Sequence, residues 1–255
     1  MKKAVSIVGM GEMGGVFARG FLKLGHPVYP ITRHNNVNDI PEEAESVIVA
    51  VGEKALPDIL KGIPENFKDR VVLLQNELLP KDWAVYPVNP TVISVWFEKK
   101  QPNDYKVIIP SPVYGPQAQL VSDALGAINI SSKVLNSADE LLFELIVKNL
   151  YILTVNIAGL EVGGTVSELW NNHREFAQAV ANDVLDIQFV MAEKELDRQK
   201  LIDGMLEAFN GDPEHKCMGR SAPARLERAV AQADEYGLDA KTLRDIQTRQ
   251  AQASK

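Results

Sequence analysis

The stretch SIVGMGEMGGVFARG, residues 6–20, places an apolar strand, a glycine turn and a helix within fifteen residues. Residues 9–14, GMGEMG, fit the pattern G-x-G-x-x-G, in which the glycines allow a tight turn, a close approach of the backbone to a pyrophosphate, and close packing of the helix on the strand. The helix N-terminus adds N–H donors and the positive end of a dipole. The alternative is a turn that binds nothing. The dinucleotide contacts predicted in this turn are Gly9, Gly11, Glu12, Met13 and Gly14.

The end of the second predicted strand, Pro27–Thr32, indicates which dinucleotide binds. An Asp or Glu there would accept a hydrogen bond from a ribose 2′-hydroxyl, but residues 31–34 read ITRH and contain no acid. Arg33 is able to form a forked pair with a 2′-phosphate, and Thr32 to donate a hydrogen bond to it. We therefore predict NADP rather than NAD as the cofactor. The alternative is that Arg33 is an exposed side chain in a polar loop.

Strand and helix signals alternate over residues 1–136, which predicts βαβ units and a mostly parallel sheet of Rossmann type. Ser46–Val51 and Val71–Gln75 are apolar nearly throughout, as buried parallel strands are. Only about fourteen residues separate the second strand from Ser46–Val51, too few for a full crossover helix. Gly52 follows that strand at its carboxyl end and is predicted to help shape the cofactor crevice, the alternative being a plain turn. Later strands are predicted at Val92–Phe97, Lys106–Ile109 and Ile128–Ile130.

From residue 137 onwards the pattern is helical. Ser137 and Glu140 form a predicted capping box, and a long apolar helix follows. The sequence thus predicts an α/β fold with two domains. Residues 1–136 would be an NADP-binding domain, and residues 137–255 an all-helical domain for substrate binding and dimerisation.

Composition narrows the function classes for this chain of 255 residues. A net charge of −7 and a pI near 5.2 argue against a general nucleic-acid surface. No run of eighteen apolar residues is free of charged and polar breaks, so we expect no transmembrane helix and no membrane partner. With no export signal, the expected location is the cytoplasm. Cys217 is the single cysteine, which excludes an intrachain disulfide. The sequence has no pair of His or Cys residues at the spacing of metal ligands, so we predict no metal site.

The long apolar helix carries a polar stripe of four residues. Glu144, Lys148, Asn149 and Asn156 fall within one sector roughly 140° wide at 100° per residue. A lysine ammonium stabilises the negative charge that hydride transfer builds on a carbonyl oxygen, and it can supply the proton. Asn side chains are suited to hold the carboxylate or hydroxyl of a substrate. The alternative is a Glu144–Lys148 ion pair on the surface.

These residues also carry a family resemblance. The glycine motif, the segment SVIVAVGEKALPDIL, LLQNE, and KNLYILTVNIAGLEVGGTVSELW resemble the ketopantoate reductases, within the wider group of 6-phosphogluconate and 3-hydroxyacid dehydrogenases. The resemblance implies NADP-dependent reduction of a small 2-oxo acid or related carbonyl compound. It implies that Lys148 is the catalytic acid/base, that Asn156 contacts substrate, and that Asn76 lies near both nicotinamide and substrate. The apolar helical half also suggests a homodimer.

Three departures from the family pattern leave alternatives open. Ile152 stands where the family commonly has an asparagine, Glu77 replaces the glycine of the Asn-Gly motif, and Ser221 takes the place of a glutamate that binds the substrate hydroxyl. The first alternative is an NADP-binding protein without catalysis, such as a redox sensor or scaffold. The second is a 3-hydroxyacid or 6-phosphogluconate-type dehydrogenase, against which Ile152 also argues.

Overall fold

The computed structural model describes residues 2–101 and 104–253, which form two units that divide between Leu142 and Phe143. The first unit is built on a sheet and the second is helical. The predicted fold class, a mostly parallel Rossmann-type sheet followed by helices, is confirmed.

The first unit alternates strands with short helices, and three short 3-10 helices add to its connections. Its strands are β1 Val5–Val8, β2 Val28–Ile31, β3 Ser46–Val49, β4 Val71–Gln75, β5 Thr91–Ser94, β6 Phe97–Gln101, β7 Asp104–Val107, β8 Ser111–Tyr114 and β9 Ser132–Val134. Its helices are α1 Glu12–Lys23, α2 Leu56–Gly62, α3 Lys81–Ala84 and α4 Ala118–Gly126.

Seven of these strands form one sheet in the order β2-β1-β3-β4-β5-β8-β9. All neighbours are parallel except β5 and β8, while β6 and β7 form a separate antiparallel pair. β1 pairs with β2 on one side and with β3 on the other, so the strand order reverses there. In open α/β sheets, ligands bind outside the carboxyl ends of the strands at such a point.

Close helix packing covers one face of this sheet. Phe17 and Phe21 of α1 are fully buried in the core. A Cβ on Gly20 would lie 2.4 Å from the carbonyl oxygen of Ala124. The backbones of helices α1 and α4 are therefore in direct contact at this point. Only glycine permits this approach without a shift of one helix.

The connection between β2 and β3 is abbreviated, as the sequence predicts. A 3-10 helix, Val37–Asp39, takes the place of a crossover helix. The Asn36 side chain accepts from the N–H of Asn38, and the Asp39 carboxylate accepts from the N–H of Asn36 at 2.8 Å. These bonds fix a short turn where the chain has no room for a longer helix.

The strand predicted at Ile128–Ile130 is wrong. The N–H groups of Ile128 and Ile130 both donate to the carbonyl of Leu125 at 3.0 Å, and Asn129 has a φ of 63°. The segment therefore closes the C-terminus of α4, and its two buried isoleucines only imitate the alternation of a strand. The sheet is completed instead by β8 and β9, which the sequence prediction did not include.

The second unit consists of helices from α5 onward, and α5 begins at the end of the first unit. Ser137 accepts from the N–H of Glu140 as predicted, whereas the Glu140 carboxylate accepts from the N–H of Asn136. The helices are α5 Ala138–Val162, α6 Val166–Asn172, α7 Arg174–Ala192, α8 Arg198–Gly211, α9 Ala222–Glu235 and α10 Lys241–Ala253.

Helix α5 is long and apolar enough to cross a membrane by length and composition alone. Its most apolar stretch has a mean hydropathy of 1.6, and 72% of that stretch is buried inside the protein. Such burial is typical of the central helix of a folded domain. Leu145, Leu150 and Ile157 of this helix are fully buried.

Candidate functional site

The glycine turn after β1 adopts a backbone that only glycine accommodates. Gly9 has a φ of +90°, and a Cβ there would lie 2.5 Å from the carbonyl oxygen of Ala50. A Cβ on Gly14 would lie 2.0 Å from the carbonyl oxygen of Gly9, so α1 starts in direct contact with the turn. The first and third glycines of the motif therefore have the geometric roles that the sequence predicts for them.

The second glycine of the motif has open space beside it. At Gly11, no described atom beyond its chain neighbours lies within 4 Å of where a Cβ would be. Gly11 is the N-cap of α1, and among the described residues no side chain caps this helix. Glu12 and Met13 lie in its first turn, where backbone N–H groups have no acceptor within the helix. The arrangement fits a pyrophosphate, which needs backbone donors and room for close approach.

A cavity of about 630 Å³ opens beside the turn, at the carboxyl ends of β1, β2 and β3. We refer to it as the β1–β3 cavity. It lies at the point where the strand order reverses, and its lining combines apolar residues with polar ones: Thr32, Arg33, Asn35, Asn36, Asn38 and Asp58. The cavity lining includes Gly9, Thr32, Arg33, Asn35, Val37 and Asp58.

A tight turn after β2 presents Arg33 to the β1–β3 cavity. Asn35 holds this turn, because its Oδ1 accepts from the N–H of Thr32 at 3.1 Å and from the hydroxyl of Thr32 at 2.9 Å. The N–H of Asn35 donates in turn to the carbonyl of Thr32. The Thr32 hydroxyl proton is thus directed to Asn35, and Arg33 extends exposed from the turn. Asn35 is a residue that the sequence prediction missed, although Asn is a common turn former.

Gly52 lies outside the lining of the β1–β3 cavity, whereas its neighbours Val51 and Ala55 belong to it. Gly52 precedes a 3-10 helix, Glu53–Ala55, with a φ of −67° that any residue adopts. Its position at the end of β3 agrees with the prediction, but its backbone does not require glycine.

Asn76 follows β4 directly and is exposed at the carboxyl edge of the sheet. Gln75 before it is buried, and Glu77 after it is half-buried. Asn76 therefore lies at the same edge as the glycine turn, because β1, β3 and β4 are parallel neighbours.

Lys148 is buried on α5, with 6% of its surface exposed. Its Nζ lies 5.9 Å from the centre of the Tyr151 ring, within the range of a cation–π contact. Tyr151 in turn packs against His215, with ring centres 6.0 Å apart, and His215 Nδ1 lies 3.6 Å from the buried carboxylate of Asp212. Sequence reasoning missed this group, since His215 and Asp212 follow α8, far along the chain from Lys148.

Asn149, another member of the predicted polar stripe, belongs to the interior. It is 1% exposed, and its amide donates to Gln188 of α7 at 2.6 Å. This buried pair joins two helices of the second unit. The predicted polar stripe therefore contains a buried structural residue, Asn149, as well as the candidate catalytic residue, Lys148.

Asn156 has its amide engaged within the helical unit. Its Nδ2 donates to the carbonyl of Ile152 at 2.8 Å, while its Oδ1 accepts from the N–H of Gly219 at 3.3 Å and from Arg225 Nη1 at 3.2 Å. Ser221 is the N-cap of α9, and Arg225 lies one turn further. The Arg225 guanidinium therefore lies beside Asn156. Arg225 is four residues after Ser221, the position for which the family resemblance implies a glutamate.

Cys217 packs tightly against the same helix. A Cβ on Gly159 would lie 2.3 Å from the carbonyl oxygen of Cys217. Burial, with a smaller contribution from the Glu168 carboxylate, raises the pKa of the Cys217 thiol to about 11. A thiol with such a pKa is not a nucleophile at neutral pH. Among the described residues, no three His, Cys, Asp or Glu side chains are grouped as a metal site.

Comparisons with known proteins identify the fold. No protein-family model matches the sequence, and no curated protein matches it closely. Solved structures match over nearly the whole chain. A 2-dehydropantoate 2-reductase from Methylococcus capsulatus has a TM-score of 0.70 at 11% identity, covering 98% of this chain and 96% of its own.

Two further structures extend this likeness. The dimeric ketopantoate reductase of Staphylococcus aureus has a TM-score of 0.63 at 18% identity, and a D-mandelate dehydrogenase solved with NADH has a TM-score of 0.65 at 16% identity. Both comparisons cover 96% of each chain. The chain therefore has the fold of ketopantoate reductases, as the sequence resemblance implies.

Proposed function

We propose that this protein is an NADP-dependent oxidoreductase that reduces a small 2-oxo acid or a related carbonyl compound. The observation that carries the proposal is the β1–β3 cavity beside an uncapped helix N-terminus, with Gly11 leaving room for a pyrophosphate and Arg33 at the end of β2. The solved structures with this fold include reductases and a dehydrogenase bound to NADH, which supports a nicotinamide cofactor.

Several residues of the first unit would hold such a cofactor. The N–H groups at the start of α1 would donate to the pyrophosphate, next to Gly9 and Gly11. The Arg33 guanidinium would form a forked pair with the 2′-phosphate of the adenosine. Because the Thr32 hydroxyl donates to Asn35, we assign Thr32 the role of shaping the turn rather than of donating to the phosphate. A bound reduced nicotinamide supplies the hydride.

Lys148 is the proposed proton donor. As the carbonyl carbon of the substrate accepts the hydride, negative charge develops on its oxygen, and the Lys148 ammonium stabilises this charge and transfers a proton to it. The low exposure of Lys148 strengthens this interaction because water screens it less. Asn76, at the carboxyl edge of the sheet, is proposed to position the nicotinamide and the carbonyl group.

The proposed substrate is an anion because a positive charge accompanies Asn156. Arg225 donates to the Asn156 amide, and a guanidinium matches the geometry of a carboxylate. We therefore assign Asn156 to the carboxylate end of the substrate, through the arginine that it orients. The second unit, which contains these residues, is proposed as the substrate-binding unit.

The test is NADPH oxidation with a panel of 2-oxo acids and neutral ketones of matched size. We expect turnover of at least one 2-oxo acid and slower turnover of its neutral analogue. Tight NADPH binding without turnover of any carbonyl compound would contradict the proposal.

The cofactor preference has a separate test at Arg33. Wild-type protein is expected to bind NADPH more tightly than NADH, and Arg33→Ala is expected to remove most of that difference while leaving NADH affinity nearly unchanged. The control is Lys23→Ala, which removes a cation from the last turn of α1. Equal preferences in wild type and Arg33→Ala would contradict the role of Arg33.

A second candidate function is an NADP-binding protein without catalysis. The engaged amide of Asn156 favours it, because both ends of that side chain already have partners within the chain. Ile152 favours it too, since an apolar group stands one turn after Lys148. The carbonyl panel above distinguishes the two functions.

We also propose that the protein is a homodimer located in the cytoplasm. The dimeric ketopantoate reductase of Staphylococcus aureus shares its fold, which supports the dimer. Light scattering on the purified chain measures its mass in solution, and a monomeric mass at micromolar concentration would contradict the dimer.

A further inference from the structure

One carboxylate in the β1–β3 cavity has no role in the function proposed above. Asp58 lies in α2 and lines the same cavity as Arg33. It is exposed to solvent at this position. The lining of this cavity therefore contains one cation, Arg33, and one carboxylate, Asp58.

The cavity that Asp58 lines has both polar residues, such as Asn36 and Asn38, and apolar ones. Val37 and Ile59 line the cavity together with Asp58. A Cβ on Gly62 would lie 2.9 Å from Val37 Cγ2, so α2 packs tightly against the 3-10 helix that contains Val37. This contact makes Val37 a tightly packed apolar part of the cavity lining, next to α2, the helix that contains Asp58.

The order of groups along the ligand follows from the fold. The pyrophosphate belongs at Gly9 and Gly11, and the ribose with its 2′-substituent belongs at the end of β2, where Arg33 lies. The base extends beyond the ribose, towards the wall formed by Val37 and Ile59. A flat base with apolar faces fits between apolar side chains, and its polar edge needs a partner.

We propose that Asp58 is a specificity-determining residue that accepts a hydrogen bond from the exocyclic amino group of adenine. A carboxylate only accepts hydrogen bonds, so it favours a 6-amino purine over a purine with hydrogen at position 6, whose ring nitrogen N1 is only an acceptor. Charge-assisted hydrogen bonds are the stronger class, which makes one side chain sufficient for discrimination. This inference rests on the nicotinamide dinucleotide cofactor proposed above.

The experiment compares two dinucleotides by fluorescence titration of the whole protein: NADPH, and its analogue in which unsubstituted purine, with hydrogen at position 6, replaces adenine. Wild-type protein is expected to bind NADPH at least about tenfold more tightly than the analogue. Asp58→Ala is expected to weaken NADPH binding about tenfold and to leave the analogue nearly unchanged, so that the two affinities converge. Asp58→Asn should also bring them together, because an amide offers either a donor or an acceptor.

The control variant is Glu43→Ala, which removes one exposed negative charge outside the cavity lining. It should keep the wild-type preference, because the effect of Asp58 is a hydrogen bond rather than net charge. A preference for NADPH that persists in Asp58→Ala would overturn the inference, as would equal affinities in wild type.

The same titration distinguishes this inference from the proposed function. If wild-type protein binds neither dinucleotide, the cofactor proposal fails and the role of Asp58 fails with it. If wild-type protein binds both dinucleotides equally, the cofactor proposal stands and only the role of Asp58 is overturned. If Asp58→Ala changes the preference between NADPH and NADH instead, the carboxylate reads the ribose, and the adenine assignment is wrong.

Discussion

The glycine turn after β1 and the polar face of α5 differ in how they are built. In the turn, backbone atoms meet backbone atoms, and Gly14 touches the carbonyl of Gly9, five residues before it. On α5, the candidate residues also take partners from distant parts of the chain, such as Arg225 for Asn156. A site made by local backbone is fixed by a short motif, whereas a site made by side chains depends on the whole fold. The predictions below separate these two kinds of site.

The largest effect on the free energy of unfolding is expected at Gly14. A Cβ there would overlap the carbonyl oxygen of Gly9 at 2.0 Å, and neither backbone is able to move without displacing α1. Gly14→Ala should therefore lower the free energy of unfolding by about 3 kcal/mol, measured by urea denaturation. The matched control is Gly15→Ala, whose Cβ would meet open space and should raise stability by roughly 0.5 kcal/mol. Similar free energies of unfolding for the two variants would contradict the tight contact between Gly14 and the carbonyl of Gly9.

Gly11→Ala should separate binding from folding within the same turn. Its Cβ enters the open space beside the helix N-terminus, so the free energy of unfolding should change by less than about 0.5 kcal/mol. NADPH binding should weaken at least about tenfold, because the methyl group occupies the place where the pyrophosphate approaches. Titration and urea denaturation of the same preparation measure both quantities. Unchanged affinity would remove Gly11 from the proposed cofactor site.

Asn156→Ala tests whether the α5 site is also a structural contact. The variant loses three hydrogen bonds within the second unit and should lose about 1–2 kcal/mol of stability. Asn171→Ala, at an exposed position of α6, should have almost no effect. Wild-type stability in Asn156→Ala would mean that these bonds contribute nothing to folding.

Local patterns predicted most of the first unit. Val71–Gln75 is a strand with the predicted bounds, and Gly9 and Gly14 have the predicted roles, because each depends on residues near it in sequence. Ile128–Ile130 was wrong because two buried isoleucines around Asn129 close a helix as readily as they would form a strand.

The surroundings of the candidate catalytic residues were beyond sequence reasoning. The family resemblance implied Lys148 and Asn156, but no local pattern connects Asn156 with Gly219 and Arg225, since 69 positions separate Asn156 from Arg225. The charge at Arg225 could not be assigned to the site without the fold, because a helical arginine is ordinarily a solvated side chain.

The most direct test of the proposed reaction is the rate of NADPH oxidation, with the best 2-oxo acid of the panel, in wild type and in Lys148→Met. Methionine keeps much of the buried volume and removes the ammonium, so NADPH affinity and folding should stay close to wild type. We expect kcat to fall by a factor of about 100 to 10,000, as for the loss of a general acid. Lys200→Met, at an exposed position of α8, should leave kcat unchanged. A Lys148→Met variant that turns over at the wild-type rate would contradict the proposed mechanism.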